Sequence, residues 1–111
     1  MWESVFRIRR GYRLAVDGKA IMEEVKVELS GSWPDYVFSP DYNLRSLEET
    51  ETFIQENHHL PEIPSAAEIE AEGLALGERN ALLLKKIEEL TLHTIKQQKL
   101  IEELYKRIED E

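Results

Sequence analysis

The stretch that decides the fold is Ile87–Ile108, IEELTLHTIKQQKLIEELYKRI, near the end of the 111-residue chain. Apolar side chains in it fall on the a and d positions of one seven-residue repeat, which is typical of a left-handed coiled coil. From Gly77 onward there is no proline and no further glycine, and the composition favours helix. We therefore predict a coiled coil over 77–111, whose a and d residues are Leu83, Ile87, Leu90, Ile101, Leu104 and Ile108.

Two polar residues interrupt this seam, Thr94 at a and Gln97 at d. Polar core layers cost stability but fix the register and the number of chains. Isoleucine at a with leucine at d favours a parallel dimer. Leu84 and Leu100 flank the seam, however, and Leu92 and Ile95 lie off it. A wider apolar face suits a trimer, or a helix that the preceding helices partly wrap. The repeat by itself leaves dimer and trimer open.

The first part of the chain has the alternation of apolar and polar residues that predicts β-strands. Asp17-Gly18 supplies a favoured two-residue hairpin turn between two such stretches. We therefore predict a shaft or hairpin of short strands over 1–30, with the apolar face formed by Phe6, Ile8, Tyr12, Leu14, Val16, Val25, Val27 and Leu29. A lone hairpin is marginal in water, so these strands would need a partner surface.

Between these zones, we predict that residues 31–76 form a small helical knob. Three aromatic residues lie close together, Trp33, Tyr36 and Phe38, and such a cluster usually anchors a loop onto a core. Two helices follow, and each begins at a serine with glutamate three residues later, the pattern of a capping box. These serines are Ser46 and Ser65; we expect the second helix to end at Gly73 in a left-handed cap.

The composition excludes several classes of function. The net charge is −9, which argues against nucleic acid and against anionic membrane surfaces as partners. There is no cysteine, and no apolar run approaches the roughly 20 residues that span a bilayer. Because the chain opens almost directly into strand-like sequence, we expect it to be part of a longer protein.

Several stretches resemble the C-terminal module of phage-tail-fiber-like and surface proteins that is common in the Bacteroidetes. Together they cover most of the chain in the same order. The matching stretches are Tyr12-Arg-Leu-Ala-Val-Asp-Gly18, Glu24-Val-Lys-Val-Glu28, Trp33-Pro-Asp-Tyr-Val-Phe38, Leu60-Pro-Glu-Ile-Pro-Ser65, Leu76-Gly77 and Leu83-Leu-Lys-Lys-Ile-Glu-Glu-Leu-Thr91.

The resemblance implies an α+β homotrimer in which short strands and a helical knob are followed by a parallel trimeric coiled coil. Such modules are similar in placement to the intramolecular chaperones of endosialidases, which align three chains so that an upstream shaft can fold in register. The implied function is trimerisation and folding nucleation, with the other copies and the upstream fiber shaft as partners and no cofactor. The implied location is a virion tail fiber or a cell surface.

Catalytic and metal-binding alternatives have weaker support in the sequence. Endosialidase-type chaperones cut themselves with a serine of a Ser-Asp pair and a downstream lysine. Here Pro40 separates Ser39 from Asp41, and no lysine occurs between Lys26 and Lys85. The adjacent pair His58-His59 and the distant His93 match no known zinc spacing. We therefore predict no enzymatic activity, no catalytic residue and no metal site, and a self-cleaving fiber chaperone stays open as an alternative function.

Two other hypotheses stay open. Trp2, Trp33 and Tyr36 would be available for binding a receptor if they were exposed, although the fixed motif around Trp33 and Tyr36 favours packing. The chain could also be a coiled-coil adaptor whose globular end binds another protein.

Overall fold

A computed structural model describes residues 11–28, 31 and 33–110. It contains a short 3₁₀ helix, Pro34–Phe38, and three α-helices: α1 (Leu47–Asn57), α2 (Ala66–Glu72) and α3 (Leu76–Asp110). The molecule is elongated, 76 × 30 × 27 Å, because α3 is one continuous helix of 35 residues. The predicted coiled-coil segment is therefore helical throughout its described length.

The predicted α+β class is wrong, because the described residues contain no sheet. Within 11–28 only Val16 forms an isolated bridge, and Ile21 is 99% exposed. A strand is stable only when a neighbouring strand pairs its backbone and a second layer covers its apolar face. The described chain offers these residues neither. The rest of the predicted strand zone, residues 1–10, 29 and 30, lies outside the described residues.

The two helix starts follow the local rules. Ser46 accepts a hydrogen bond from the backbone N–H of Glu49 (3.1 Å), and Ser65 forms a complete capping box with Glu68. α1 ends at His58, which adopts the left-handed conformation with φ 60°. Gly73 ends α2 with φ 81° and ψ −170°, an extended positive-φ conformation suited to glycine rather than the predicted left-handed helical cap.

The knob has a very small core. The 3₁₀ helix packs on α3 and buries Pro34 and Val37, and Val37 is only 1% exposed. Pro61 and Ile63, in the loop before α2, are the other buried apolar residues in the described ranges. So little buried surface makes the knob dependent on α3.

The knob covers the outer side of the first half of α3. The α3 side chains between 81 and 93 that are buried or half-buried lie on this outer side and on both flanks of the seam: Ala81, Leu82, Leu84, Lys85, Lys86, Glu88, Glu89, Leu92 and His93. The a and d residues of the same turns, Leu83, Ile87 and Leu90, remain 44 to 62% exposed. The fold therefore leaves the heptad seam uncovered. None of the helices in the described ranges combines the length and apolarity that crossing a membrane requires.

Candidate oligomerisation surface

The candidate functional site is the a/d seam of α3. All six predicted apolar residues lie along it and are 44 to 70% exposed: Leu83, Ile87, Leu90, Ile101, Leu104 and Ile108. The apolar residues form two stretches, on either side of Thr94 and Gln97, and monomeric soluble proteins rarely expose apolar surface of this extent. An isolated helix is also only marginally stable in water, and residues 94–110 are exposed throughout. These features fit a helix that is stabilised by other helices.

The two polar seam residues differ in whether their side chains are free to form hydrogen bonds with another helix. The Thr94 hydroxyl donates to the backbone carbonyl of Leu90 at 2.9 Å, so it is satisfied within its own helix. The Gln97 side chain has no hydrogen-bond partner among the described residues. Gln97 therefore remains available to bond across a helix–helix interface, and we assign the register role mainly to Gln97.

Replacing Gln97 with leucine should strengthen self-association. Each buried leucine contributes about 1.5–3 kcal/mol, so three of them should raise the association constant at least about a thousandfold. Gln97→Leu should also broaden the distribution of oligomers, because the register device is lost. Thr94→Val is the matched control and should leave a single species. Thermal melting with light scattering measures both effects, and an unchanged melting temperature for Gln97→Leu would contradict the assignment of Gln97 to the interface.

The residues that flank the seam carry no acidic group. The e positions are uncharged, with Leu84, Thr91, Gln98 and Tyr105, whereas the g positions carry Arg79, Lys86, His93, Leu100 and Arg107. In an antiparallel pair, g residues face g residues, so basic side chains would meet one another. In a parallel assembly they face the uncharged e residues. The flanking charges therefore favour parallel packing.

Polar contacts fasten the knob to the outer side of α3. Glu62 pairs with Lys85 and with Lys86 (3.0 Å), and Lys86 also reaches Glu89 (3.1 Å). Burial raises the pKa of Glu62, but the hydrogen bonds and charges of the two lysines outweigh burial and leave the pKa below its ordinary value. Tyr42 donates to Glu89, and burial together with this carboxylate raises the pKa of Tyr42. These contacts hold the knob away from the seam.

His93 joins the same set of contacts. Its Nε2 lies 3.0 Å from the carbonyl oxygen of Arg45 at the edge of the knob. A hydrogen bond at this distance requires that the ring nitrogen carry the proton. The structure thus gives this g-position histidine a role in anchoring the knob.

Glu88 is the one buried carboxylate in the described ranges. It is 5% exposed at the b position beside the 3₁₀ helix, and its Oε1 has no hydrogen-bond partner there. Burial, reinforced by a hydrogen bond and the charge of Asp35, raises the pKa of Glu88. The heptad pattern did not predict this, because b positions of a coiled coil normally face solvent.

Stability should therefore rise as the pH falls from neutral toward 4.5, the ordinary pKa of glutamate. The folded chain holds the Glu88 proton more tightly than the unfolded chain, so protonation favours folding in this window. Glu62 changes stability with pH in the opposite direction, because its pKa is lowered in the folded chain. The stability that Glu62 contributes is lost only as the pH falls below 4.5. Glu88→Gln should raise the melting temperature at pH 7 by a few degrees and flatten its pH dependence. Glu109→Gln, at an exposed site, should do neither; a pH profile that Glu88→Gln leaves unaltered would contradict this account.

The three aromatics of the segment Trp33–Phe38 are largely on the surface of the knob. Trp33 is 52% exposed, Tyr36 43% and Phe38 53%, whereas their neighbours Pro34 and Val37 are buried. The Tyr36 ring contacts the Tyr42 ring, with ring centroids 6.0 Å apart. The ammonium group of Lys85 lies 5.7 Å from the centroid of the Tyr36 ring. Tyr36 thus packs against Tyr42 and Lys85, and the buried Pro34 and Val37 anchor the segment.

The residues considered for self-cleavage and for metal binding each have a structural role in their own surroundings. The Ser39 hydroxyl donates to Asp41 inside a turn, and this hydrogen bond is the main cause that lowers the pKa of Asp41, so Asp41 is a weak base. His59 packs edge-on against Phe53, and His58 forms the cap of α1. No group of three or more metal-binding side chains is present within the described ranges.

Comparisons with protein-family models, with curated proteins and with solved structures found no match to this chain. The resemblance to fiber modules therefore stays a prediction, and the function is proposed from the geometry of α3 and of the knob.

Proposed function

We propose that the chain is a homotrimerisation and folding-nucleation module at the C-terminal end of a fiber-like or adhesin-like protein. The observation that carries the proposal is the a/d seam of α3 from Leu83 to Ile108, whose six apolar side chains are 44 to 70% exposed. The module joins three copies side by side and aligns them for an upstream shaft. Its location would be a virion tail fiber or a cell surface.

Parallel packing is supported by the charges that flank the seam. A trimer rather than a dimer is supported by the apolar residues among those flanking positions, Leu84, Leu100 and Tyr105. Three-stranded packing covers more of the e and g positions than two-stranded packing does. The half-exposed Leu100 (53%) and Tyr105 (65%) would then be shielded from water.

Nucleation follows from the local character of α3. Helices and short loops form quickly, whereas pairing between distant strands is slow. A coiled coil that forms first raises the effective concentration of the attached chains and sets their register. Gln97 would define that register by bonding across the trimer axis.

A fusion experiment tests the nucleating function. The chain is attached to a fiber-shaft segment that does not trimerise by itself, and refolding yields are compared with and without Ile101→Asp. We expect the unaltered fusion to give a trimeric, protease-resistant shaft and the variant to give little. Equal yields from the two fusions would show that α3 does not direct shaft assembly.

A further inference from the structure

A groove lies beside the first half of the seam, between the knob and α3. Its volume is about 370 Å³, and its walls are Leu44, Leu47 and Leu60 from the knob and Leu83, Ile87 and Leu90 from α3. An engineered cavity of about 150 Å³ accommodates a benzene ring, so this groove has room for about two aliphatic side chains. It is an apolar site large enough for part of a helix.

The polar groups at the rim of the groove already have partners in the same chain. Lys86 is paired with Glu62 and Glu89, and the ring of His93 is bonded to the carbonyl of Arg45. They require no charged ligand. Leu47 and Leu60, each 43% exposed, instead leave apolar surface uncovered. The occupant that fits is an apolar helix face.

We infer that this groove receives the α3 helix of a second copy, with Leu84 and Thr91 of that copy against the knob. The inference rests on the proposed parallel oligomer and identifies a second contact within it. Three wall residues, Leu83, Ile87 and Leu90, belong to the seam itself, so a helix packed on the seam must also lie along the groove. The groove opens on the side of the g residues Lys86 and His93, and in parallel packing this side faces the e residues of the neighbour.

This contact joins two different surfaces, the knob of one chain and the e side of the next. Such a head-to-tail contact closes on itself in a three-fold ring. Each knob then clamps the neighbouring helix, so the knob stabilises the trimer although it lies outside the heptad repeat. Leu44 and Leu60 would thereby contribute to self-association, although they lie in loops outside the heptad repeat.

Cysteine cross-linking tests the contact directly, because the chain has no cysteine of its own. A Leu60→Cys chain is refolded with a Leu84→Cys chain that carries a tag, so that a mixed disulfide can form only between copies. A disulfide needs Cα atoms within about 7 Å, and we expect the mixed species to be abundant. The control mixture, Leu60→Cys with Leu100→Cys, places the second cysteine more than four turns further along α3 and should give little.

A stability comparison tests the same contact without cross-linking. Leu60→Gln should weaken self-association of the full chain at least tenfold. Leu74→Gln, which alters a leucine of similar exposure outside the groove, should leave self-association unchanged. A trimer without the mixed disulfide, in which Leu60→Gln and Leu74→Gln behave alike, would overturn the groove contact and leave the proposed function standing. A chain that remains monomeric would overturn both.

Discussion

Ile101→Asp should convert the proposed trimer into monomers. Ile101 is an a residue in the half of α3 that extends beyond the knob, so its only available cover is another helix. Full burial of an isoleucine contributes about 1.5–3 kcal/mol, so the loss from three copies weakens association by at least about a thousandfold. Three carboxylates would also meet at one layer of the core, where a buried charge without a partner is strongly unfavourable. Light scattering across a range of concentrations measures the effect.

Lys106→Asp is the matched control, since it places the same side chain one turn away on the outer f position. It should leave the trimer intact even though it changes the charge by more than Ile101→Asp does. A trimer that survives Ile101→Asp, or that is lost equally in both variants, would contradict the assignment of the seam.

Val37→Asp should detach the 3₁₀ helix from α3 without dissociating the seam. Val37 is 1% exposed and is the largest fully buried side chain in the described ranges, so the substitution puts an unpaired charge into the contact between the 3₁₀ helix and α3. Such a change costs several kcal/mol, more than so small a core can supply. The near-ultraviolet circular dichroism of the adjacent Trp33 and Tyr36 should collapse, while the mass in solution stays that of an oligomer.

Phe38→Asp is the control from the same turn. Phe38 is 53% exposed, so its replacement should keep most of the aromatic signal. An equal loss from the two variants would mean that the aromatic side chains, rather than the buried Pro34 and Val37, anchor the segment.

The parts of the fold that follow from the sequence are those set by neighbours along the chain. The long helix follows from its composition and repeat, and the starts of α1 and α2 follow from Ser46 and Ser65, whose side chains bond three residues ahead. The strand prediction depended on partners far away in the sequence or in other copies. The alternation around Val16 and Val25 was therefore insufficient, and the described residues there contain no sheet.

The candidate site divides in the same way. The heptad residues could be located from their spacing alone, but not the side of α3 that the knob covers. In the segment Trp33–Phe38, the sequence predicted that the aromatic residues would anchor the loop. The 3₁₀ helix instead places Pro34 and Val37 together against α3. The groove escaped prediction because Leu44 and Leu60 are single apolar residues between turn-forming neighbours, a pattern with no periodic signal.

Light scattering after size-exclusion chromatography tests the central claim most directly, with a denaturing gel of the same peak. A mass near three times 13.0 kDa with one intact band is the predicted result. A trimer made of cut chains would point to the self-cleaving type of fiber chaperone. A dimer would favour the coiled-coil adaptor, and a monomer at high concentration would contradict oligomerisation through α3 altogether.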